Sequence, residues 1–122
     1  MILGVGIDII EVERVGKALD HHAARVFTQN ERDYFAKFTN PAQHMAGTWA
    51  AKEAVAKALG TGFAGIDHRE IEIIRENSGA PKVHLYGRAK QRLDELGGET
   101  VLVSISHVES MAVANAAISS NR

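Results

Sequence analysis

The chain has 122 residues, of which 45% are hydrophobic and 24% are charged, and these values are typical of one soluble globular domain. It contains no cysteine, which excludes a disulfide framework, a thiolate metal site and a thiol nucleophile. No apolar run approaches the ~18 residues that a membrane span requires, and a net charge of −1 provides no general attraction to nucleic acid. The first residues, MILGVGID, lack the basic region of a signal peptide, so we expect a single cytoplasmic domain over residues 1–122.

The first predicted strand runs from Ile2 to Asp8, where β-favouring residues alternate with glycines. Gly4 and Gly6 weaken a strand, and their presence indicates a bulge or a close approach by another backbone segment. We expect Asp8 where the strand ends, where an acid can simply break the strand or can serve a site. The apolar residues that follow have helical spacing and predict a short amphipathic helix: Val12, Val15 and Leu19.

The next pattern is a capping box, TQNE, in which Thr28 is the N-cap and Glu31 the N3 residue at the start of a helix. The aromatic residues behind it are more typical of a core than of a cofactor site: Tyr34, Phe35 and Phe38. A much longer helix of about five turns is predicted from Asn40 to Gly60. Asn40 is a favourable N-cap, and Gly60 can adopt the positive φ that ends a helix.

This long helix is predicted to have two unlike faces. Glu53 and Lys57 are four residues apart, so they share one face, and Trp49 lies on the same stripe. Ala50 and Ala54 are small enough to let another backbone approach. The stripe that we expect to be apolar and buried consists of Ala51, Val55, Ala58 and Leu59.

The second half of the chain predicts two hairpins separated by a helix. A Ser-Gly turn joins the strands IEII and KVHLY, and residues 108–110 join VLVSISH to MAVANAAI. The helix between the hairpins, GRAKQRLDEL, is followed by two glycines that stop it. Alternation in VLVSIS places its valines and isoleucine on one face and its serines on the other.

Glu53 and Lys57 allow two interpretations. They can form an ordinary ion pair on a solvated helix face, or they can supply an acid for a metal and an ammonium group for a phosphate. The turn Gly60–Thr61–Gly62 favours the second interpretation, because backbone N–H groups in such a turn can face an anion. With Asp8 added, two carboxylates with open positions suit Mg²⁺, which keeps several waters and shares phosphate oxygens. This set points to phosphate-ester chemistry.

The histidines form no metal-binding spacing such as HExxH. Most of them are expected at the surface: His21, His22, His44, His68 and His84. His107 is predicted at a strand end beside a turn, a typical place for a ligand-facing group, although an ordinary surface role is more common. A Ser-His-Asp triad is discounted because the sequence has no nucleophile elbow.

Two spaced motifs resemble those of the phosphopantetheinyl transferases. GIDIIEVER resembles the G-x-D-x₅-R motif, with Gly6, Asp8 and Arg14 in the fixed positions. WAAKEAVAKALG resembles the W/F-x-x-K-E-x-x-x-K motif, whose fixed positions are Trp49, Lys52, Glu53 and Lys57. The short length, the FTxxE segment and the late SISH resemble one branch, the holo-[acyl-carrier-protein] synthases, and the resemblance covers nearly the whole chain.

The resemblance implies an α+β fold in which an antiparallel sheet packs against a long helix, and a homotrimer with sites between subunits. It also implies transfer of 4′-phosphopantetheine from coenzyme A to a serine of an acyl carrier protein, with Mg²⁺, release of 3′,5′-ADP and a role in fatty acid biosynthesis. Carried over, Asp8 and Glu53 are metal ligands and Lys57 contacts a phosphate. The implied nucleotide contacts are Gly60, Thr61, Gly62, Pro81 and His107. Because carrier proteins are acidic, a local basic patch is expected to face them: Arg14, Lys17 and Arg25.

One residue departs from the pattern: Thr48 stands where relatives commonly have an arginine, so one cationic phosphate contact is in doubt. In the implied reaction, Glu53 or a metal-bound water can take the serine proton, and the sequence leaves both open. Two other classes remain as alternatives, namely a non-catalytic coenzyme A or nucleotide-binding module of the same fold and a purely structural trimer. The presence of Asp8, Glu53 and Lys57 argues against both.

Overall fold

The computed structural model describes residues 1–19 and 22–121, so His21 lies outside the described residues. The strands are β1 (Ile2–Glu11), β2 (Ile71–Arg75), β3 (Pro81–Leu85), β4 (Thr100–His107) and β5 (Met111–Ser119). The α-helices are α1 (Val12–Leu19), α2 (Ala23–Val26), α3 (Gln29–Phe35), α4 (Ala42–Ala58) and α5 (Gly87–Glu95), and a 3₁₀ turn, His68–Glu70, precedes β2. Within these ranges no helix is both long and apolar enough to cross a bilayer.

The main sheet has three antiparallel strands in the order β1-β5-β4, while β2 and β3 form a separate two-stranded sheet. In the main sheet Asp8 pairs with Ala114, which in turn pairs with Ile105. Helix α4 lies against one face of this sheet, where alternate residues of β5 are buried: Ala112, Ala114, Ala116 and Ile118. The α+β class, with an antiparallel sheet on a long helix, is therefore confirmed.

Strand β1 runs very close to α4 because it has glycines at the points of contact. A Cβ atom added to Gly6 would overlap the carbonyl oxygen of Ala54, and one added to Gly4 would overlap that of Ala58. Both alanines are buried, so the two segments leave no room for larger side chains. The predicted close approach is confirmed, and it brings Asp8 to the helix face that carries Glu53 and Lys57.

The first strand is longer than the sequence predicted. Pairing with β5 continues through Glu11, which lies opposite Met111. Asp8 therefore lies inside β1 rather than at its end, and the prediction of its position was wrong. The reason is that the partner strand keeps supplying backbone hydrogen bonds beyond the point where the local pattern weakens.

The start of the long helix also differs from the prediction. Helix α4 begins at Ala42, with Pro41 at the N-cap position and no capping hydrogen bond from a side chain, so Asn40 is not the cap. The carbonyl of Pro41 already accepts the N–H of Met45 at 2.9 Å, which makes it the first acceptor of the helix. At the other end, Gly60 follows the helix with a φ of +80°, as expected for a residue that ends it.

Helices α1 and α3 bury a second, smaller group of side chains against α4. The three residues predicted for the buried side of α1 are all buried: Val12, Val15 and Leu19. Phe27 and Phe35 pack edge to face, with ring centroids 4.8 Å apart. Of the aromatic residues expected in the core, Phe35 is buried, whereas Tyr34 and Phe38 are only half-buried.

A buried ion pair joins α3 to α4. The capping-box residue Glu31 places Oε1 2.7 Å from Nζ of Lys52, and both side chains are completely buried. Lys52 also donates to the carbonyls of His68 at 3.0 Å and Ile71 at 2.6 Å, while Glu31 accepts the N–H of Ile73 at 2.8 Å. Burial raises the pKa of Glu31 and lowers the pKa of Lys52, because each charged form loses its hydration.

The face of the main sheet that points away from α4 carries several exposed apolar side chains. The β1 side chains of Val5, Ile7 and Ile9 are 70%, 64% and 63% exposed, and Leu102 of β4 is 60% exposed. On the opposite face of β4 the alternate residues pack towards the core, as the alternation predicted: Val101, Val103 and Ile105. Ser104, Ser106 and Asn115 are exposed on the same face as Leu102, so the apolar side chains of that face are concentrated on β1.

We predict that Gly6→Ala destabilises the fold by about 1–3 kcal/mol, the usual cost of overpacking a filled core, because the new methyl group would meet the Ala54 carbonyl. The free energy of unfolding is measured by chemical denaturation followed by circular dichroism. The control is Gly16→Ala on α1, where nothing lies within 4 Å of an added Cβ. Removing a helical glycine there should stabilise the chain by roughly 0.5–1 kcal/mol. Equal stabilities of the two variants would contradict the close approach.

Candidate active site

The two predicted carboxylates meet in a cleft of about 360 Å³ between β1, α1 and α4. Asp8 enters the cleft from β1 and Glu53 enters it from α4, while Arg14 of α1 forms part of the wall. The apolar part of the wall includes Val15, Ala18, Trp49 and Met111. Residues from opposite ends of the first half of the chain are thus brought to one site.

Lys57 reaches from α4 to β1. Its Nζ atom lies 3.0 Å from Oδ1 of Asp8 and donates to the Ile7 carbonyl, also at 3.0 Å. The Asp8 side chain is 18% exposed and that of Lys57 is 52% exposed, so the ammonium group stays open to solvent and to a ligand. Lys57 therefore pairs with Asp8 rather than with Glu53, because the close approach of β1 puts the Asp8 carboxylate within its reach.

Glu53 is held at one of its oxygens. Trp49, one turn earlier on α4, donates from Nε1 to Oε1 at 3.2 Å, and Nε2 of His68 lies 3.8 Å from the same oxygen. His68 is the largest influence on the pKa of Glu53 and lowers it below its usual value. Burial raises this pKa, and the hydrogen bond from Trp49 lowers it further. Glu53 is therefore ionised at neutral pH, as a carboxylate ligand of a metal must be.

The donor set fits a hard divalent cation that shares its ligands with a substrate. Oδ2 of Asp8 and Oε2 of Glu53 accept no hydrogen bond from residues 1–19 and 22–121. In the same ranges no group of three or more His, Cys, Asp or Glu could hold a metal ion alone. Two carboxylate oxygens supplemented by waters and phosphate oxygens are the usual surroundings of Mg²⁺ at phosphate sites.

The glycine turn after α4 closes the helix end. The N–H groups of Gly60 and Gly62 donate to the carbonyls of Lys57 and Ala56 at 2.9 Å and 3.1 Å. These two amides are therefore not free to face an anion, and that part of the sequence interpretation was wrong. The Thr61 hydroxyl donates to the Gly62 carbonyl at 3.0 Å. Contact between this turn and a nucleotide stays a prediction, and an open surface at Gly62, where nothing lies within 4 Å of an added Cβ, favours it.

Pro81 and His107 lie outside the cleft of their own chain. The His107 ring is 5.6 Å from that of His44, and His44 lies beside Tyr34. The Arg75 guanidinium is 5.4 Å from the Tyr34 ring, and Arg75 is the cross-strand partner of Pro81. Burial, His107 and Arg75 all lower the pKa of His44. Pro81 and His107 are thus linked outside the cleft through Arg75, Tyr34 and His44.

The residues predicted to face a carrier protein lie on α1 and α2. Arg14 lines the cleft, Lys17 lies 3.4 Å from Glu13 on α1, and Arg25 is in the last turn of α2. All three side chains are exposed. An exposed pair such as Lys17–Glu13 contributes little to stability, so Lys17 remains available to a partner.

Sequence reasoning missed His68 and misjudged His44. Both were expected at the surface, yet both are half-buried and stack flat on phenylalanine rings. The centroid distance is 3.7 Å between His68 and Phe63, and 3.6 Å between His44 and Phe38. No spacing in the sequence links His68 to the site, because the contact is made across the glycine turn. Thr48, which departs from the family pattern, is buried in α4 and presents no group to a phosphate.

The fold and the cleft agree with one group of known proteins. A family model described as the 4′-phosphopantetheinyl transferase superfamily matches residues 4–114. The chain therefore belongs to this superfamily, and the resemblance drawn from its two motifs is confirmed.

Within the superfamily, the similar proteins are holo-[acyl-carrier-protein] synthases. The one from Alkaliphilus oremlandii is 45% identical, over 95% of this chain and 98% of that protein. A solved structure from Neisseria meningitidis has a TM-score of 0.87 at 31% identity, covering 98% of this chain and 99% of the other. Another, from Bacillus anthracis in complex with CoA (3′,5′-ADP), has a TM-score of 0.84 at 35% identity and covers 99% of both chains.

Proposed function

We propose that this chain transfers 4′-phosphopantetheine from coenzyme A to a serine of an apo acyl carrier protein and releases 3′,5′-ADP. The observation that carries the proposal is the cleft in which Asp8, Glu53 and Lys57 lie together. A module that only bound coenzyme A or a nucleotide would not need two carboxylates beside a lysine, so an enzyme is favoured. Membership of the superfamily, and the names of relatives over nearly the whole chain, support the same reaction.

In this reaction the serine oxygen bonds to the β-phosphorus of coenzyme A, and the bond from that phosphorus to the oxygen of 3′,5′-ADP breaks. The serine proton passes to Glu53 or to water in the cleft. Lys57, anchored 3.0 Å from Asp8, adds a fixed positive charge where negative charge grows. Mg²⁺, when held by Asp8 and Glu53, supplies further neutralisation of the pyrophosphate.

We also propose that each site is completed by a neighbouring subunit of a homotrimer. Pro81 and His107 lie on their own surface, with His44 and Arg75 nearby, and this surface meets the cleft of the next chain. There His107 contacts a phosphate of coenzyme A and Pro81 covers the adenine. The turn Gly60–Gly62 lines the nucleotide from the chain that supplies the cleft.

The exposed face of the main sheet supports assembly. Its apolar side chains, Val5, Ile7, Ile9 and Leu102, are each at least 60% exposed in the isolated chain. Several exposed apolar side chains on one face of a sheet, here mainly on β1, are typical of a surface that contacts another protein. The second hairpin then packs one face on α4 and the other on a neighbouring subunit. Neither nucleic acid nor a membrane is part of this proposal, and the cytoplasmic location stays a prediction.

We predict that apo carrier protein gains the mass of one phosphopantetheine when it is incubated with this chain, coenzyme A and Mg²⁺. Asp8→Ala and Glu53→Ala should each slow this transfer at least ~100-fold, the scale of losing a major electrostatic element of a site. EDTA should stop the wild-type protein, and added Mg²⁺ should restore it. Intact-mass spectrometry over time measures all three effects, and full activity in EDTA would refute the metal site.

The carrier protein is expected to dock beside the cleft on the exposed edge formed by Arg14, Lys17 and Arg25. Arg14→Glu should therefore raise the apparent KM for carrier protein, because charges at the rim of an interface act mainly on association. The apparent KM for coenzyme A should stay nearly unchanged. Lys90→Glu, which reverses an exposed charge on α5, is the control. Equal effects of Arg14→Glu on both substrates would count against this docking edge.

Sharing of the site between subunits can be tested with mixed trimers. Glu53→Ala and His107→Ala are each expected to be weak alone. When the two are unfolded together and refolded, roughly one quarter of the sites should combine an intact Glu53 with an intact His107, because the two residues come from different chains of a cyclic assembly. Transfer activity should rise accordingly, while light scattering reports the trimer.

The matched control mixes Glu53→Ala with Asp8→Ala. Both residues line the cleft of one chain, so no mixed site can recover both of them, and the activity should stay low. A trimer whose Glu53→Ala and His107→Ala mixture is no more active than the average of its parents would exclude the shared site. A monomer with full activity would exclude the assembly altogether.

A further inference from the structure

His68 lies beside the cleft, and the proposed function gives it no role. Its ring stacks on Phe63 with centroids 3.7 Å apart and 13° between the ring planes. Its backbone carbonyl accepts a hydrogen bond from the buried Lys52 ammonium at 3.0 Å. Because both its ring face and its backbone are fixed, Nε2 is held 3.8 Å from Oε1 of Glu53.

Trp49 reaches the same oxygen from within α4. An indole nitrogen can only donate, and Nε1 of Trp49 lies 3.2 Å from Oε1 of Glu53. Trp49 also lines the cleft and is the only tryptophan in the sequence. Trp49 therefore donates a hydrogen bond to Oε1, and His68 lies close to the same oxygen, at 3.8 Å. Oε2 accepts no hydrogen bond within the described part of the chain.

We propose that Trp49 and His68 are positioning residues that hold Oε1 of Glu53, so that Oε2 is the oxygen presented to Mg²⁺. The inference rests on the proposed function, since it takes Glu53 as a metal ligand. A carboxylate anchored at one oxygen loses less rotational freedom when the other oxygen binds a metal. Partners that orient a metal ligand in this way typically change metal affinity by about 10–100-fold. At 3.8 Å His68 makes no direct hydrogen bond to Oε1, so it acts by the attraction between an N–H on Nε2 and the carboxylate, and a neutral tautomer or an imidazolium can supply that N–H.

The competing explanation is purely structural: Trp49 fills the wall of the cleft and His68 packs on Phe63. The two explanations give different expectations for the affinity of the site for a metal, when this affinity is measured separately from the stability of the fold. Trp49→Phe removes the N–H donor but keeps an aromatic ring, and His68→Leu removes both ring nitrogens. His68→Gln restores an amide N–H donor. His84→Leu is the matched control, because His84 is an exposed histidine on β3 that does not line the cleft.

The affinity for Mn²⁺ is measured by electron paramagnetic resonance of the free ion, with coenzyme A present and carrier protein absent, so that no turnover occurs. Trp49→Phe and His68→Leu should each weaken Mn²⁺ binding about 10-fold or more. His68→Gln should recover part of the loss, and His84→Leu should bind like wild type. In the transfer reaction, the Mg²⁺ concentration that gives half-maximal rate should rise by the same factor, while kcat at saturating Mg²⁺ stays near wild type.

Wild-type Mn²⁺ affinity in Trp49→Phe and His68→Leu would overturn the inference. The inference would also be overturned by a combination of two results. These are a loss of Mn²⁺ affinity that parallels a fall in the melting temperature measured in EDTA, and a kcat that excess Mg²⁺ does not restore. If His68→Leu does not fold, Trp49→Phe decides the question, since it preserves an aromatic ring. Asp8→Asn separates this inference from the proposed function. Wild-type Mn²⁺ affinity in Asp8→Asn would refute the metal site itself, and the positioning role with it.

Discussion

The proposed active site depends on direct contact between the backbone of β1 and the backbone of α4. Gly4 and Gly6 face alanine carbonyls of the helix, and a side chain at either glycine would overlap them. Two elements that pack through full-sized side chains lie about 10 Å apart, as stacked sheets do. Where glycine faces alanine, most of the side-chain material between them is absent, so the two backbones lie closer together. At this short spacing the Lys57 ammonium lies 3.0 Å from the Asp8 carboxylate. The destabilising effect of glycine within a strand is thus offset by the close packing of β1 against α4 that glycine allows.

Helix α4 is fixed from its other side by the buried pair of Glu31 and Lys52. Taking two charges out of water is unfavourable, and this pair is tolerated because each partner makes further hydrogen bonds. Two backbone N–H groups donate to Glu31, and two backbone carbonyls accept from Lys52. Removing one partner of such a pair typically costs about 3–5 kcal/mol, since the other charge is left uncompensated. The pair therefore ties α3, α4, the 3₁₀ turn and β2 into one unit.

The sequence predicted the features that short-range patterns determine. Helical spacing found the buried side of α1, alternation found the two faces of β4, and the capping box found the start of α3. The length of β1 was not predictable in this way, because Asp8 lies inside the strand only through its pairing with Ala114, far along the chain. Likewise, nothing in the local pattern links His68 to Glu53, or Glu31 to Lys52, since these contacts cross loops. The two motifs therefore identified Asp8, Glu53 and the neighbouring Trp49, but not His68, the other group that lies beside the Glu53 carboxylate.

Lys52 and Glu53 are neighbours in the sequence, yet one is completely buried and the other opens into the cleft. Successive residues of an α-helix are about 100° apart, so fixing the direction of one side chain fixes that of the next. The buried ammonium of Lys52 therefore helps to fix the rotation of α4 about its axis, and with it the direction of Glu53. The same ammonium binds the carbonyl of His68, whose ring lies beside the Glu53 carboxylate. Lys52 thus contributes to the position of both the Glu53 carboxylate and the neighbouring His68, although it does not line the cleft.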